Sequence, residues 1–278
     1  MSAQNAQPGK GTLRRVVIIT AIVAAGALAI AAMIGFAAGG LRTARFGGTT
    51  GTAFDESRSL PLGGVDLIEI RTVSEDIKIL EETGDSIQVR LHGTVGTTDA
   101  AAIPHLFAER KGNTADIRVE RERAFTVGLN WNNLVLEVSI PKGYARKLSI
   151  TTVSADVEVP DSRVAELSLA TTSGTLRAGS IEAEQAELSS VSGDISVGKL
   201  TGSLRAHSTS GDISVGLPAE AGFRLDARSV SGRVSCGFPI QLSDGRVEGA
   251  RHAVVGTVGS GHDSLAIDTV SGDIAVKR

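Results

Sequence analysis

Apolar residues recur in this chain at a fixed interval. The phrase Val191-Ser192-Gly193-Asp194-Ile195-Ser196-Val197 returns with its third position at Glu75, Ala155, Gly174, Gly193, Gly211, Gly232 and Gly272. From Ala155 to Gly232 the steps are 19, 19, 18 and 21 residues, and the step on to Gly272 is 40, about two periods. Aligning the copies gives columns. One column holds Ile68, Leu148, Leu167, Ala186, Leu204, Leu225 and Leu265; two residues on, a second holds Ile70, Ile150, Leu169, Leu188, Ala206, Ala227 and Ile267. Beyond the turn a third holds Ile77, Val157, Leu176, Ile195, Ile213, Val234 and Ile274, and a fourth holds Ile79, Val159, Ala178, Val197, Val215, Cys236 and Val276. Aliphatic columns two residues apart are what one face of a β-strand requires, and the variable polar positions between them face water.

Each copy therefore reads as a strand, a tight turn and a second strand. The turns are Ser154 with Ala155, Ser173-Gly174, Ser192-Gly193-Asp194, Ser210-Gly211-Asp212, Ser231-Gly232 and Ser271-Gly272-Asp273. A short motif at constant period in a mainly β chain predicts a β-solenoid, a single-stranded parallel β-helix-like stack of about 19 residues per coil. The residue before each phrase is Thr or Ser (Thr72, Thr152, Thr171, Ser190, Ser208, Ser229, Thr269), a further repeating feature of the same coil.

The period also divides the chain. It is strict over 147–237, weak over 65–146 beyond the copy at 68–79, interrupted over 238–263, and resumed over 264–278. Strand-like alternation at 86–95, 115–121 and 134–141, with a Lys111-Gly112-Asn113 turn, predicts irregular coils or an antiparallel cap before the regular coils. The glycine-rich 238–263 segment predicts an inserted hairpin, and 264–278 a last coil. Residues 39–64, rich in Gly, Thr and Ser, read as a flexible linker.

Residues 16–38 contain no charged side chain. A helix of that length spans roughly 34 Å, enough for a hydrocarbon core of about 30 Å. Its length favours an uncleaved transmembrane helix over a cleaved signal peptide, whose apolar region is shorter. Lys10, Arg14 and Arg15 precede the run, which points the short 1–15 segment into the cytoplasm and the C-terminal body outside the cell membrane. The charge is nearly balanced, 28 basic against 31 acidic residues, which gives no reason to expect a nucleic acid partner. Cys236 is the single cysteine, so no intramolecular disulfide forms, and its place in an aliphatic column makes it a core residue.

The Val/Thr-Ser-Gly-Asp-Ile-x-Val phrase at 191–197, 209–215 and 270–276 resembles the bacterial putative-adhesin family of β-strand-repeat proteins, whose defining domain is one of unknown function. The resemblance covers roughly 65–278. It implies a cell-envelope protein with a β-solenoid domain behind a membrane segment, with some members linked to envelope stress, and it carries over no catalytic residue. Glu75 and Ala155 depart from the expected Gly, which leaves the geometry of those two turns open.

Candidate chemistry is sparse. Asp76, Asp156, Asp194, Asp212 and Asp273 form an acidic column that could bind Ca²⁺, but Thr175 and Arg233 interrupt it, and carboxylates that accept turn N–H groups account for it without an ion. The Thr/Ser column could offer hydroxyls to glycans or stack internally. His92, His105, His207, His252 and His262 fall far apart in the coil register, with no metal-binding spacing. His262-Asp263-Ser264 are sequence neighbours and poorly placed for a nucleophile relay. Glycines 256, 259 and 261 lack the following helix that a phosphate loop needs. Trp131, among Asn130, Asn132 and Asn133, is equally suited to an exposed contact and to the core of the cap. Outward positions gather no acidic or basic cluster of the kind polysaccharide-cleaving β-helix enzymes use. The expectation is a non-enzymatic, membrane-anchored surface module with no cofactor and no metal. Its partners are the membrane and other envelope proteins or glycans. The alternative is an envelope-stress sensor acting through its anchor.

Overall fold

The computed structural model describes residues 51–96, 103–121, 131–242 and 252–278. The 16–38 run lies outside them, and no helix among the described residues is long and apolar enough to cross a membrane. The body is mainly β. It opens with β1 (Thr52–Pro61), β2 (Leu67–Arg71), β3 (Asp76–Glu82), β4 (Ser86–Gly96), β5 (His105–Lys111), β6 (Thr114–Glu120) and β7 (Trp131–Pro141). The regular coils follow as β8 (Lys147–Ser154), β9 (Val157–Val159), β10 (Ser162–Ser173), β11 (Leu176–Ser192), β12 (Ile195–Ser210), β13 (Ile213–Gly216), β14 (Phe223–Ser231) and β15 (Val234–Cys236). The chain then forms β16 (Gln241–Leu242), β17 (Ala253–Val258), β18 (Asp263–Ser271) and β19 (Ile274–Lys277).

Equivalent columns lie over one another through parallel ladders. The first runs Ala115, Ile68, Leu148, Leu167, Ala186, Leu204, Leu265, Leu225, each paired with the next. The third runs Leu136, Ile77, Val157, Leu176, Ile195, Ile213, Ile274, Val234. Ile150, Leu169, Val215 and Ile267 are fully buried, and Leu188 and Val197 are nearly so. Each such side chain removed from water contributes roughly 1.5–3 kcal/mol, so the interior is held by repetition of one small contribution along the stack.

The order of the coils in space differs from their order in sequence. The rung formed by β18 and β19 sits between the β12–β13 rung and the β14–β15 rung, pairing in parallel with both. The last coil of the chain is thus the second from its end of the stack. At the opposite end β2 and β3 lie between β6–β7 and β8–β9 in the same way. Sequential stacking fails at both places because the aliphatic columns of all coils are equivalent, and any two coils can be neighbours.

Antiparallel strands finish the stack. β5 folds back on β6, β4 on β7 and β1 on β4, while β17 returns along β14 and β16 along β17. These hairpins occupy ladder edges that the outermost coils would otherwise expose. The expected linker of 39–64 is corrected in its second half: Thr52–Pro61 is a ten-residue strand in register with β4. Its faces are polar, with only Leu60 buried, so main-chain pairing and not an apolar period makes it a strand.

Candidate functional site

The turns stack as closely as the strands. Gly174, Gly193, Gly211 and Gly272 have φ of +137°, +149°, +148° and +149°. A Cβ at Gly193 would lie 2.0 Å from the carbonyl oxygen of Gly174, and one at Gly272 would lie 2.1 Å from that of Gly211. Glycine is thus required twice, for the backbone angle and for the approach of the neighbouring turn. Gly232 lacks the positive φ but meets the Gly272 carbonyl in the same way. Among the described residues no residue other than Gly has positive φ, so the turns at Glu75 and Ala155 take a different backbone path. Glu75 is buried there and ion-paired with Arg121. Ser154, Ser173, Ser192, Ser210, Ser231 and Ser271 are exposed at the corner.

The acidic column ties one turn to the next. Asp156 donates its N–H to Asp76 Oδ1 (3.0 Å), Thr175 N–H to Asp156 (2.7 Å), Asp212 N–H to Asp194 (2.9 Å), Asp273 N–H to Asp212 (2.7 Å) and Arg233 N–H to Asp273 (2.7 Å). One carboxylate oxygen per turn is therefore spent on the backbone of its neighbour. The Thr175 N–H, with Arg177 beside it, holds the Asp156 carboxyl below its ordinary value against the opposing effect of burial. Among the described residues no group of three or more His, Cys, Asp or Glu side chains is placed to hold a metal ion.

The Thr/Ser column points inward. Thr72 donates to Thr152 Oγ1 (3.0 Å), Thr171 to Ser173 O (3.2 Å), Ser229 to Gly272 O (2.9 Å) and Thr269 to Gly211 O (3.3 Å). The hydroxyls of Ser190 and Ser208 are buried without a partner. Being internal, the column offers no hydroxyls to a ligand.

Several polar groups escaped the columnar reading because they act between rungs. Asp116, 1 % exposed, receives Arg71, Lys111 and Arg118, each at 2.7 Å. Burial alone would raise its pKa, but Lys111, Arg71 and Arg118 together outweigh burial and hold the carboxyl below 3.8. This cluster fastens the β5–β6 hairpin to β2. His207, 5 % exposed, stands in register between Ser189 and Asp268, with neither ring nitrogen hydrogen-bonded. Burial lowers its pKa, which favours the neutral ring. Half-buried Cys236 has its thiol pKa pushed up by burial, which makes it a poor nucleophile. His252 Nδ1 lies 2.6 Å from Gly232 O. Asn132 and Asn133 are exposed on β7, whereas Asn130 and the Trp131 side chain lie outside the described residues.

Grooves lie at two places on the surface of the described residues. One, of about 350 Å³, separates the edges of β1 and β5 and is lined by Glu56, Arg58, His105, Phe107 and Glu109 among others. Its charges are already matched: Arg58 pairs with Glu56, Glu56 accepts the Leu106 N–H (3.0 Å), and Glu109 pairs with Arg118 (2.8 Å). The other, of about 520 Å³, crosses β12, β13 and β19, with Ser196, Gly198, Lys199, Ser214, Gly216 and Lys277 in its lining. Gly198 and Gly216 leave its floor bare, and a Cβ at Gly216 would lie 1.9 Å from the Gly198 carbonyl oxygen. No aspartate or glutamate lines it. Its residues belong to different copies of the repeat, so no local motif announces them.

A model of the Toastrack DUF4097 family matches residues 65–199 and, overlapping, residues 145–277. The chain belongs to the Toastrack DUF4097 family. This agrees with the resemblance carried by the repeat phrase, and the repeat fold is of the Toastrack type. Among solved structures the Toastrack chain is similar to a putative cell adhesion protein from Clostridium sporogenes, at 13 % identity and TM-score 0.49, over 81 % of this chain and 99 % of that one. It is also similar to a putative adhesin from Bacteroides fragilis, at 12 % identity and TM-score 0.39, over 80 % and 97 % of the two chains. No curated protein matches the sequence.

Proposed function

We propose that this Toastrack protein is a non-enzymatic interaction module held outside the cell by a single transmembrane helix at 16–38, N-terminus inside. One observation carries the reading. The stack repeats its outward positions in register from coil to coil, as in the row Ser149, Ser168, Glu187, Arg205, Ala266, Asp226. Strands in a ladder are about 4.8 Å apart, so such rows make a long, evenly ruled surface suited to an extended partner. The interior is filled by aliphatic side chains, and the buried carboxylates, Glu75 and Asp116, are spent in ion pairs. The uncharged run at 16–38 with Lys10, Arg14 and Arg15 ahead of it supports the anchor and its direction.

An epitope tag placed after Arg278 tests this in intact cells. External protease should remove the tag, and the chain should stay with the membrane through an alkaline carbonate wash. A tag cut only after permeabilisation, or a chain released by carbonate, would overturn the reading.

A further inference from the structure

We infer that the groove across β12, β13 and β19 binds an extended anionic glycan. The inference rests on the surface-module reading above and names its partner. Lys199, Lys277 and Arg278 line the groove, and none of them is ion-paired to a carboxylate among the described residues. Most cations elsewhere on the body have a carboxylate: Arg90 has Asp55, Lys147 has Glu166, Arg163 has Glu182 and Arg177 has Asp156. Cations gathered without a counter-charge in a concave site raise the local concentration of an anion.

The remaining lining selects the class of anion. Ser196 and Ser214 face the groove from adjacent rungs in register, which puts two hydroxyls about one strand spacing apart for sugar hydroxyls to meet. Gly198 and Gly216 sit side by side and Lys277 pairs with Gly216, so a bare floor ends at a cation. No aromatic side chain lines the groove, which removes the stacking platform a single-stranded nucleic acid needs. The large exposed apolar residues among those described, Leu80, Phe107 and Val230, lie outside it, and of its own apolar lining Val197 and Leu217 are buried and only the small Pro218 and Ala219 reach the surface, too little to enter a lipid bilayer.

The test is titration of the detergent-solubilised full chain with polygalacturonate, a phosphate-bearing mannan polymer and neutral dextran. Polygalacturonate or the phosphate polymer should bind, dextran should not, and affinity should fall as salt rises. The tighter of the two polymers identifies the anion as carboxylate or phosphate. The double change Lys199→Glu, Lys277→Glu should weaken binding at least tenfold, and Lys199→Gln, Lys277→Gln should do so by less. Lys78→Glu with Lys142→Glu, two exposed lysines outside the groove, should leave it unchanged. Equal binding of dextran, no binding of either anion, or equal losses from the groove and control changes would overturn the proposal. If binding fails while the tag after Arg278 is still cut on intact cells, the groove assignment falls and the surface module stands.

Discussion

The Asp212 carboxylate accepts the backbone N–H of Asp273 at 2.7 Å, a bond between turns 61 residues apart in sequence and adjacent in space. The same bond joins Asp194 to Asp212 within the sequential part of the stack. The inserted rung is therefore held at its turn by the device that holds the regular ones.

Replacing Asp212 with Ala removes that acceptor and should lower stability by about 1 kcal/mol. Asp212→Asn keeps an oxygen at the same place and should cost less than half as much. Urea unfolding midpoints of the two variants check the order; a larger loss for Asn would mean that charge, and not acceptance, is what matters.

The register predicts opposite outcomes at adjacent residues. Ile195 is 1 % exposed inside the stack, and Ser196 faces outward. Ile195→Asp should destabilise by more than about 4 kcal/mol, since it empties a core position and buries an unpaired charge. Ser196→Asp should stay within about 0.5 kcal/mol of the parent. Thermal melting of both variants measures the difference directly.

Two glycines separate backbone strain from contact. Gly84 has φ of +158° and open space where its Cβ would go, whereas Gly193, at +149°, would place a Cβ 2.0 Å from Gly174 O. Gly84→Ala, at the extended limit, should cost about 1 kcal/mol or less. Gly193→Ala should cost at least about 2 kcal/mol more than that. Equal unfolding midpoints for the two variants would show that neighbouring turns can separate freely.

His207 gives the stack a pH dependence with a definite sign. Burial lowers its folded pKa below the ordinary 6.5, so the unfolded chain binds more protons in the window between the folded value and 6.5. Its contribution to stability is complete above 6.5 and is lost as pH falls through that window. Ser189 and Asp268 face it from the adjacent strands. His207→Gln should flatten the decline in urea midpoint between pH 7 and pH 5, as seen by paired titrations.

How much of this was legible depends on whether a feature repeats. Leu167, Ala186 and Leu204 recur with the period, and the ladders pair Leu167 with Ala186 and Ala186 with Leu204. The neighbour of Leu204 was not legible: it is Leu265 and not Leu225, and two leucines in one column say nothing about which comes next. Strand β1 was missed because its residues carry no apolar period. The Asp116 cluster and the groove at Lys199 and Lys277 draw on strands that meet only after folding. A columnar alignment sets Lys277 beside Gly198 and Gly216 only once the stacking order is known.

The position of β18 and β19 also dictates when the body can close. Because β14 and β15 precede them in the chain yet stack beyond them, the coil at 204–215 is paired on one side only while 225–236 is being made. A chain threaded outward from its N-terminus must keep that gap available until residues 263–277 arrive to fill it. That rung, gripped on two sides, is keyed between coils made before it and cannot be withdrawn without breaking a ladder on each side.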